Sequence, residues 1–176
     1  TRQIAAIYRA WQRGEATPAS PFTPFAEVVD EYQRYYGSEA WQRDKAFWSE
    51  QRKALPSPAS LSAAPLAGRA TSTDIWRLKL DLDAGLFSRL AAGAPQCQRA
   101  DLALALTTLW LGRLCNRMDY AAGFIFMRRM GSAALTATGP VLNVLPLAVH
   151  IDAQETLAEL ALRLSARLKK MRRHQR

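Results

Sequence analysis

Apolar residues recur at helical spacing through the first fifty positions, and this pattern predicts three helices. The first is predicted to end near Gly14, the second to run from Phe25 to Tyr36, and the third to follow Ser38, whose hydroxyl can cap a first turn. The apolar face of the first helix consists of Ile4, Ile7, Tyr8 and Trp11. Residues 55–73 contain three prolines and one glycine and have no apolar period, so they predict a linker between two subdomains.

Strands and helices are interleaved after this linker. Alternating apolar and charged residues at 76–82 predict a half-buried strand, and helices are predicted to follow the capping residues Asp83 and Asp101. The second of these helices is apolar on all sides, which predicts that it is buried on most sides. Two continuous apolar runs, Tyr120–Met127 and Thr138–Leu147, then predict two buried strands joined by a flexible loop.

A long amphipathic helix is predicted at the end of the chain. Thr156 and Glu159 match a capping box, and apolar residues recur at helical spacing from Leu157 to Met171. We therefore interpret residues 74–176 as part of a mixed α/β lobe, and residues 1–54 as the helical end of another lobe. The predicted fold class is α/β.

The net charge of +9 is concentrated near one end of the chain. Seven of the 24 basic residues lie within 163–176, where no acidic residue occurs, which leaves 17 basic against 15 acidic residues elsewhere. An amphipathic helix with a basic polar face accounts for this cluster, and no aromatic platform for nucleic acid accompanies it, so no nucleic-acid partner is predicted. The chain opens on Thr and stops without a helix-ending signal, which we interpret as an internal piece of a longer protein.

Several common chemistries have no support in the sequence. Cys97 and Cys115 belong to no CxxC pair, which argues against a metal site, and two free thiols fit a reducing cytoplasm. No signal peptide opens the chain and its apolar stretches are too short for a membrane span, so we expect a cytoplasmic location without membrane insertion. Dinucleotide, P-loop, serine-hydrolase and zinc-protease motifs do not occur.

Four polar residues remain as candidates for chemistry. His150 lies near a strand end and could act as a general base with Asp152, but the missing nucleophile favours a structural role. His174, among arginines in a helix tail, is interpreted as a solvated or packing residue. Arg129 follows a buried strand and needs a carboxylate partner, which nearby sequence does not supply. Asn143 is a single amide in an apolar run, and its role is left open between structure and function.

Five motifs, in order, resemble the condensation domains of nonribosomal peptide synthetases. The run Thr138–Leu147, Thr-Gly-Pro-Val-Leu-Asn-Val-Leu-Pro-Leu, is similar to that family's "G-P-x-x-N-x-L-P-L" motif. The other four are Phe22–Val29, Ala46–Trp48, Gly123–Arg129 and His174–Gln175. The resemblance implies a chloramphenicol-acetyltransferase-like fold of two lobes with a tunnel between them. Of this fold the chain would cover the end of the first lobe and much of the second.

The resemblance also implies a reaction, amide formation between substrates carried on the 4′-phosphopantetheine arms of carrier proteins, with no cofactor bound by this piece. Similarity to siderophore-forming members implies a 2,3-dihydroxybenzoyl thioester on an aryl carrier protein as donor. The acceptor would be a seryl amine on the protein's own peptidyl carrier domain. The family's catalytic histidine, in H-H-x-x-x-D-G, would lie upstream of Thr1. Residues 1–176 are therefore expected to contain no catalytic residue and to be inactive alone.

Site residues follow from the same resemblance. Arg129 is expected to pair with the aspartate of the upstream motif, and Asn143 to order a strand beside the tunnel. Met127, Gly139 and Leu145 are expected to line the tunnel, and no metal ligand is predicted. The alternative hypothesis is a non-catalytic binding lobe that docks an acidic partner through its basic C-terminal helix.

Overall fold

The computed structural model describes residues 2–61, 77–81 and 83–176, and these contain six α-helices and two paired β-strands. In chain order the elements are α1 (Arg2–Gln12), α2 (Phe25–Tyr35), α3 (Glu39–Lys53), α4 (Ala84–Ala92), α5 (Arg99–Cys115), β1 (Asp119–Phe126), β2 (Asn143–His150) and α6 (Leu157–Arg172). A single 3-10 turn, Ala133–Leu135, lies between the two strands. All six predicted helices are present.

The chain folds into two compact units built from segments that are distant in sequence. Unit 1 comprises Thr1–Trp48, Ile125–Val144 and Gln175–Arg176, and unit 2 comprises Ser49–Phe124 and Leu145–His174. These bounds differ from the predicted division at residues 55–73, most of which lies outside the described residues. The assignment of residues to two lobes of a larger fold stays a prediction.

In unit 1, small apolar residues of the 3-10 turn pack against α2. The buried cluster consists of Val28, Ala134, Ala137 and Val141, flanked by Tyr32 and Ala133. The hydroxyl of Tyr35 on α2 donates to Asp44 Oδ2 on α3 at 2.7 Å, and burial together with this bond raises the pKa of Tyr35. Ser38 accepts a hydrogen bond from the Trp41 amide at 3.3 Å, which confirms it as the cap of α3.

In unit 2, α5 packs against α6. The buried residues of α6 are Leu160, Ala161, Leu164, Ser165, Leu168 and Met171, and the predicted apolar face is thereby confirmed. Thr156 and Glu159 exchange hydrogen bonds as the predicted capping box requires. The Tyr120 hydroxyl donates to the Thr108 carbonyl at 2.6 Å, and burial raises the pKa of Tyr120 to about 12.

Two predictions of buried apolar surface are wrong. Residues 77–81 form no strand, and Leu78 and Leu80 are 98% and 80% exposed. A strand needs a neighbour for its backbone hydrogen bonds. Among the described residues, β1 and β2 pair with each other and Ala121 of β1 bonds to residues 57–59, whereas residues 77–81 have no such partner. The prediction that α5 is buried on most sides is wrong for the face that includes Trp110 and Leu114, which are 59% and 54% exposed.

Two boundaries also differ from the predictions. The run 138–147 is not one strand: β2 begins at Asn143, and the residues before it are irregular because Pro140 has no amide hydrogen to donate. Asp101 is not the cap of α5, which begins after Gln98, and it lies instead in the first turn, where a carboxylate favours the helix dipole. None of the described helices combines the length and the apolar character that crossing a bilayer requires.

Candidate functional site

Most of the predicted site residues lie on the segment 127–142, which joins β1 to β2 and is called the connecting loop below. Arg129, half-buried near the start of this loop, donates to three backbone carbonyls further along it. The acceptors are Ala134 O at 2.8 Å, Ala137 O at 2.9 Å and Gly139 O at 2.8 Å. The fork of the guanidinium thus holds the loop in a closed turn. The described acceptors of Arg129 are carbonyls, and the predicted upstream carboxylate stays a prediction.

Glu31 of α2 holds the connecting loop from the other side. Its Oε2 accepts from the Ser132 hydroxyl at 2.8 Å and from the Ala133 amide at 2.8 Å. Its Oε1 accepts from both Nη1 and Nη2 of Arg128, at 3.0 and 2.9 Å, and also contacts Arg176. The side chains of Glu31 and Arg128 are only 16% and 13% exposed, so this ion pair is shielded from solvent.

The surroundings of Glu31 favour its ionised form. Burial alone raises the pKa of this carboxyl, but the Ala133 amide, the Ser132 hydroxyl and the Arg128 guanidinium outweigh burial and hold the pKa below its usual value. The folded state therefore binds the proton less readily than the unfolded chain does. Glu31 contributes stability above its unfolded pKa, and this contribution is lost as pH falls through its folded pKa.

This linkage gives a pH-dependent expectation for Glu31→Gln. The difference in melting temperature between the wild-type protein and the variant should be largest near neutral pH and should shrink below about pH 4.5, as the wild-type carboxyl gains its proton. Melting of both proteins between neutral and acidic pH measures this difference. Glu27→Gln, an exposed change on the same helix, should show no such trend. A Glu31→Gln difference that stays constant across the pH range would contradict the assignment.

The other predicted site residues have different surroundings. Gly139 lies against the ring of Phe25, and a β-carbon at this position would stand 2.5 Å from Phe25 Cδ2. Asn143 Nδ2 lies 3.4 Å from the Gln175 carbonyl, at the long end of hydrogen-bond distance. Met127 is 70% exposed after the end of β1, whereas Leu145, in unit 2, is buried. Their predicted places along a tunnel stay predictions.

His150 is paired with a different acid from the one predicted. Its Nδ1 lies 2.6 Å from Asp119 Oδ1, and both side chains are more than half exposed. The His150 carbonyl accepts from Arg163 Nη2, and Arg163 is itself paired with Glu155 at 2.6 Å. Bonding to Glu155 raises the pKa of Arg163. The described partners of His150 are Asp119 and Arg163, and neither is a nucleophile, so the geometry agrees with the structural interpretation.

A cleft of ≈ 750 Å³ adjoins Glu31 in unit 1. Its hydroxyls donate within the protein: Tyr35 to Asp44, Ser38 to the Tyr35 carbonyl, and Ser132 to Glu31. These hydroxyls are therefore engaged in structural bonds, and none is activated as a nucleophile. Within the part of the chain that the structure describes, no three His, Cys, Asp or Glu side chains are grouped to hold a metal ion.

Glu31 is the site residue that sequence reasoning missed. It lies 97 positions before Arg128, so no local motif connects the two residues. A signal was nevertheless present, because Glu31 lies three residues after Val28 and four before Tyr35, the two buried residues of α2. A carboxylate at this spacing lies on the buried face of its helix and needs partners.

Comparison with known proteins decides the family. The Condensation domain family matches residues 1–176. The chain belongs to this family. The first condensation domain of the CDA synthetase, a solved structure, aligns over 97% of this chain with a TM-score of 0.79 and 26% sequence identity, and the aligned part is 38% of that chain. The predicted α/β condensation-domain fold is thereby confirmed.

Two curated proteins, a synthase and a synthetase by name, are similar to this chain. Enterobactin synthase component F of Escherichia coli (strain K12) is 74% identical over the whole of this chain, and vanchrobactin synthetase VabF of Vibrio anguillarum is 33% identical over 99% of it. The chain spans 14% of the first protein's length and 6% of the second's. Residues 14–25 and 109–120 predict similarity to enterobactin synthase component F, and this prediction is confirmed.

Proposed function

We propose that this chain is part of a condensation domain that forms the amide between a 2,3-dihydroxybenzoyl thioester and a carrier-bound seryl amine, in enterobactin biosynthesis in the cytoplasm. The observation that carries the proposal is the 74% identity to enterobactin synthase component F along all 176 residues. The donor would arrive on an aryl carrier protein and the acceptor on the protein's own peptidyl carrier domain. Both would be attached to 4′-phosphopantetheine arms, and residues 1–176 would bind no cofactor of their own.

The proposed reaction is an acyl transfer from sulfur to nitrogen. The seryl amine attacks the thioester carbonyl, a C–N bond forms, the C–S bond breaks, and the phosphopantetheine thiol leaves with the proton that the amine gives up. Positioned acid–base groups contribute about 10²- to 10⁴-fold to such steps. We assign that role to the family's histidine motif, which the resemblance places before Thr1, and to no residue of this chain.

The residues of this chain would shape and support the reaction site. Arg129 closes the connecting loop through three carbonyls, and Asn143 begins the strand that follows. Both would keep the backbone beside the reacting groups in one conformation, which matters because a misplacement of about 1 Å can cost about 100-fold in rate. We therefore propose them as positioning residues, with Met127, Gly139 and Leu145 lining the tunnel.

A non-catalytic lobe that docks an acidic partner is the second candidate function. Lys169, Arg172 and Arg173 are exposed on the last turns of α6 and beyond it, so the positive charge of this helix faces solvent. Such a surface steers an acidic protein toward it by long-range attraction. In the enzyme proposal the same surface would attract a carrier domain, so docking alone does not separate the two candidates.

Product analysis with the full-length protein separates them. The protein is incubated with an aryl carrier loaded with 2,3-dihydroxybenzoate, and its own carrier domain is loaded with serine. Mass spectrometry of the phosphopantetheine arm should then show 2,3-dihydroxybenzoyl-serine. Residues 1–176 alone, given both loaded carriers, should yield no amide.

Three outcomes of this experiment distinguish the enzyme proposal from the binding lobe and test the inactivity of residues 1–176. Amide formed by the full-length protein, and not by residues 1–176, supports both the reaction and the inactivity of this piece. Amide formed by residues 1–176 alone would refute the inactivity. Salt-dependent binding of the aryl carrier without amide from the full-length protein would overturn the enzyme proposal in favour of the binding lobe.

A further inference from the structure

We infer that Glu31 is a positioning residue for the condensation reaction, because its carboxylate fixes the connecting loop to α2. The inference rests on the proposed function for its catalytic consequence, and on geometry alone for the anchoring. All the contacts that carry it lie within unit 1. The family resemblance names Arg129 and Asn143 in this region, and it does not name Glu31.

The two oxygens of Glu31 hold different parts of the loop. Oε2 accepts from Ser132 and from the Ala133 amide, at the beginning of the 3-10 turn. Ser132 also caps this turn, because its Oγ accepts from the Ala134 amide at 3.1 Å. One carboxylate oxygen therefore satisfies the cap hydroxyl and the first amide of the turn together.

The other oxygen holds the beginning of the loop. Oε1 lies within 3.0 Å of both terminal nitrogens of Arg128, next to the arginine that binds the loop carbonyls. Arg128 is thereby pulled toward α2, while Arg129 points its guanidinium into the loop. Two adjacent arginines are thus used in different ways, one across to a helix and one along the loop.

Together, the hydrogen bonds of Arg129 and Glu31 restrict the conformation of the connecting loop. Arg129 ties the loop to itself at residues 134, 137 and 139, and Glu31 ties residues 128, 132 and 133 to α2. Ala134, Ala137 and Val141 are also buried in one cluster with Val28 of α2. Releasing Glu31 should therefore shift the loop and the start of β2 that follows it.

A glutamine at position 31 cannot satisfy both sides. The amide has one acceptor oxygen and one donor NH₂ group, and the partners of both Glu31 oxygens are donors. Whichever way the amide turns, its NH₂ faces either Arg128 or the Ser132 hydroxyl and Ala133 amide. Glu31→Gln is therefore an isosteric change that breaks one tie and leaves the apolar packing intact.

The test combines hydrogen exchange and kinetics on the full-length protein. In Glu31→Gln we expect amide exchange at residues 132–135 to be about tenfold faster or more, because a buried charge-assisted bond is lost. We expect kcat for amide formation to fall about tenfold, with KM for the loaded aryl carrier unchanged, because the change misplaces the reaction site and not the docking surface. Glu27→Gln, on the exposed side of α2, is the matched control and should leave both quantities within about twofold.

Each outcome bears on one claim. Unchanged exchange at 132–135 in Glu31→Gln would overturn the anchoring, and faster exchange with unchanged kcat would overturn the positioning role. If the wild-type protein forms no amide, the proposed function fails while the exchange measurement still decides the anchoring. Should Glu31→Gln fail to fold, Ser132→Ala removes one donor and the cap of the turn, and it should give the same two changes at smaller size.

Discussion

Replacing Arg129 by alanine is expected to slow amide formation by the full-length protein at least about tenfold and to destabilise its condensation domain by about 2–4 kcal/mol. The variant leaves the carbonyls of residues 134, 137 and 139 without their donor. Ala134 and Ala137 are buried, so water cannot replace these bonds without opening the cluster against α2. Thermal melting and the rate of 2,3-dihydroxybenzoyl-serine formation measure the two effects.

Arg129→Lys separates carbonyl binding from charge pairing. An ammonium keeps the positive charge that an upstream aspartate would require, but it lacks the planar fork that reaches three carbonyls. If the carbonyl bonds dominate, the lysine variant should be nearly as impaired as the alanine variant, and if the ion pair dominates it should recover most of the activity. Arg113→Ala, an exposed change on α5, is the control. Unchanged melting and rate in Arg129→Ala would refute a positioning role.

Local patterns identified the helices because their signals lie within a few residues. The capping box of Thr156 and Glu159 and the cap at Ser38 depend on backbone groups two to three positions away, so spacing alone predicts them. The same holds for Asp83, whose Oδ1 accepts from the Gly85 amide at 2.8 Å. Helix α6 could be predicted with its buried face because its apolar period continues through four turns.

Partners of charged residues could not be predicted in this way. Glu31 and Arg128 lie 97 positions apart, and His150 and Asp119 lie 31 positions apart. The pairing of acidic and basic side chains depends on how the units fold. Sequence proximity predicts Asp152 as the partner of His150, whereas the folded chain pairs it with Asp119. Arg129 shows a second limit, because the sequence does not reveal that the folded loop supplies three carbonyl oxygens to its guanidinium.

A regular apolar pattern does not by itself establish burial. The face of α1 formed by Ile4, Tyr8 and Trp11 is regular, yet these three side chains are 72%, 59% and 67% exposed. Periodicity indicates that residues share one face of a helix, but it does not indicate that another element covers this face. The aligned part is only 38% of the solved condensation-domain chain, so the fold of that chain contains more elements than the described residues provide.

Gly112→Ala is expected to destabilise unit 2 by about 1–3 kcal/mol, although alanine is the better helix former by about 1 kcal/mol. Gly112 is buried in α5, and a β-carbon there would lie 2.9 Å from the Arg117 carbonyl and would collide with Ile151. Arg117 itself lies in a tight turn, because its amide donates to the Gly112 carbonyl at 2.9 Å. The neighbouring Asn116 is left-handed, with φ of 50°, so this backbone cannot move aside without breaking the helix end.

Gly93→Ala is the matched control, because a β-carbon there meets its nearest atom at an ordinary 3.5 Å and φ is −74°. This change should be neutral or stabilising by about 0.4–1 kcal/mol through the unfolded chain. Thermal melting of the full-length protein, with hydrogen exchange of residues 108–118 to locate the change, distinguishes the two variants. If Gly112→Ala melts at or above the wild-type temperature, α5 and the segment at 117 must be able to separate, and the close packing described for them would be wrong. If Gly112→Ala instead loses protection from hydrogen exchange only at residues 108–118, a glycine is required at 112 because the backbone at Arg117 approaches α5 closely.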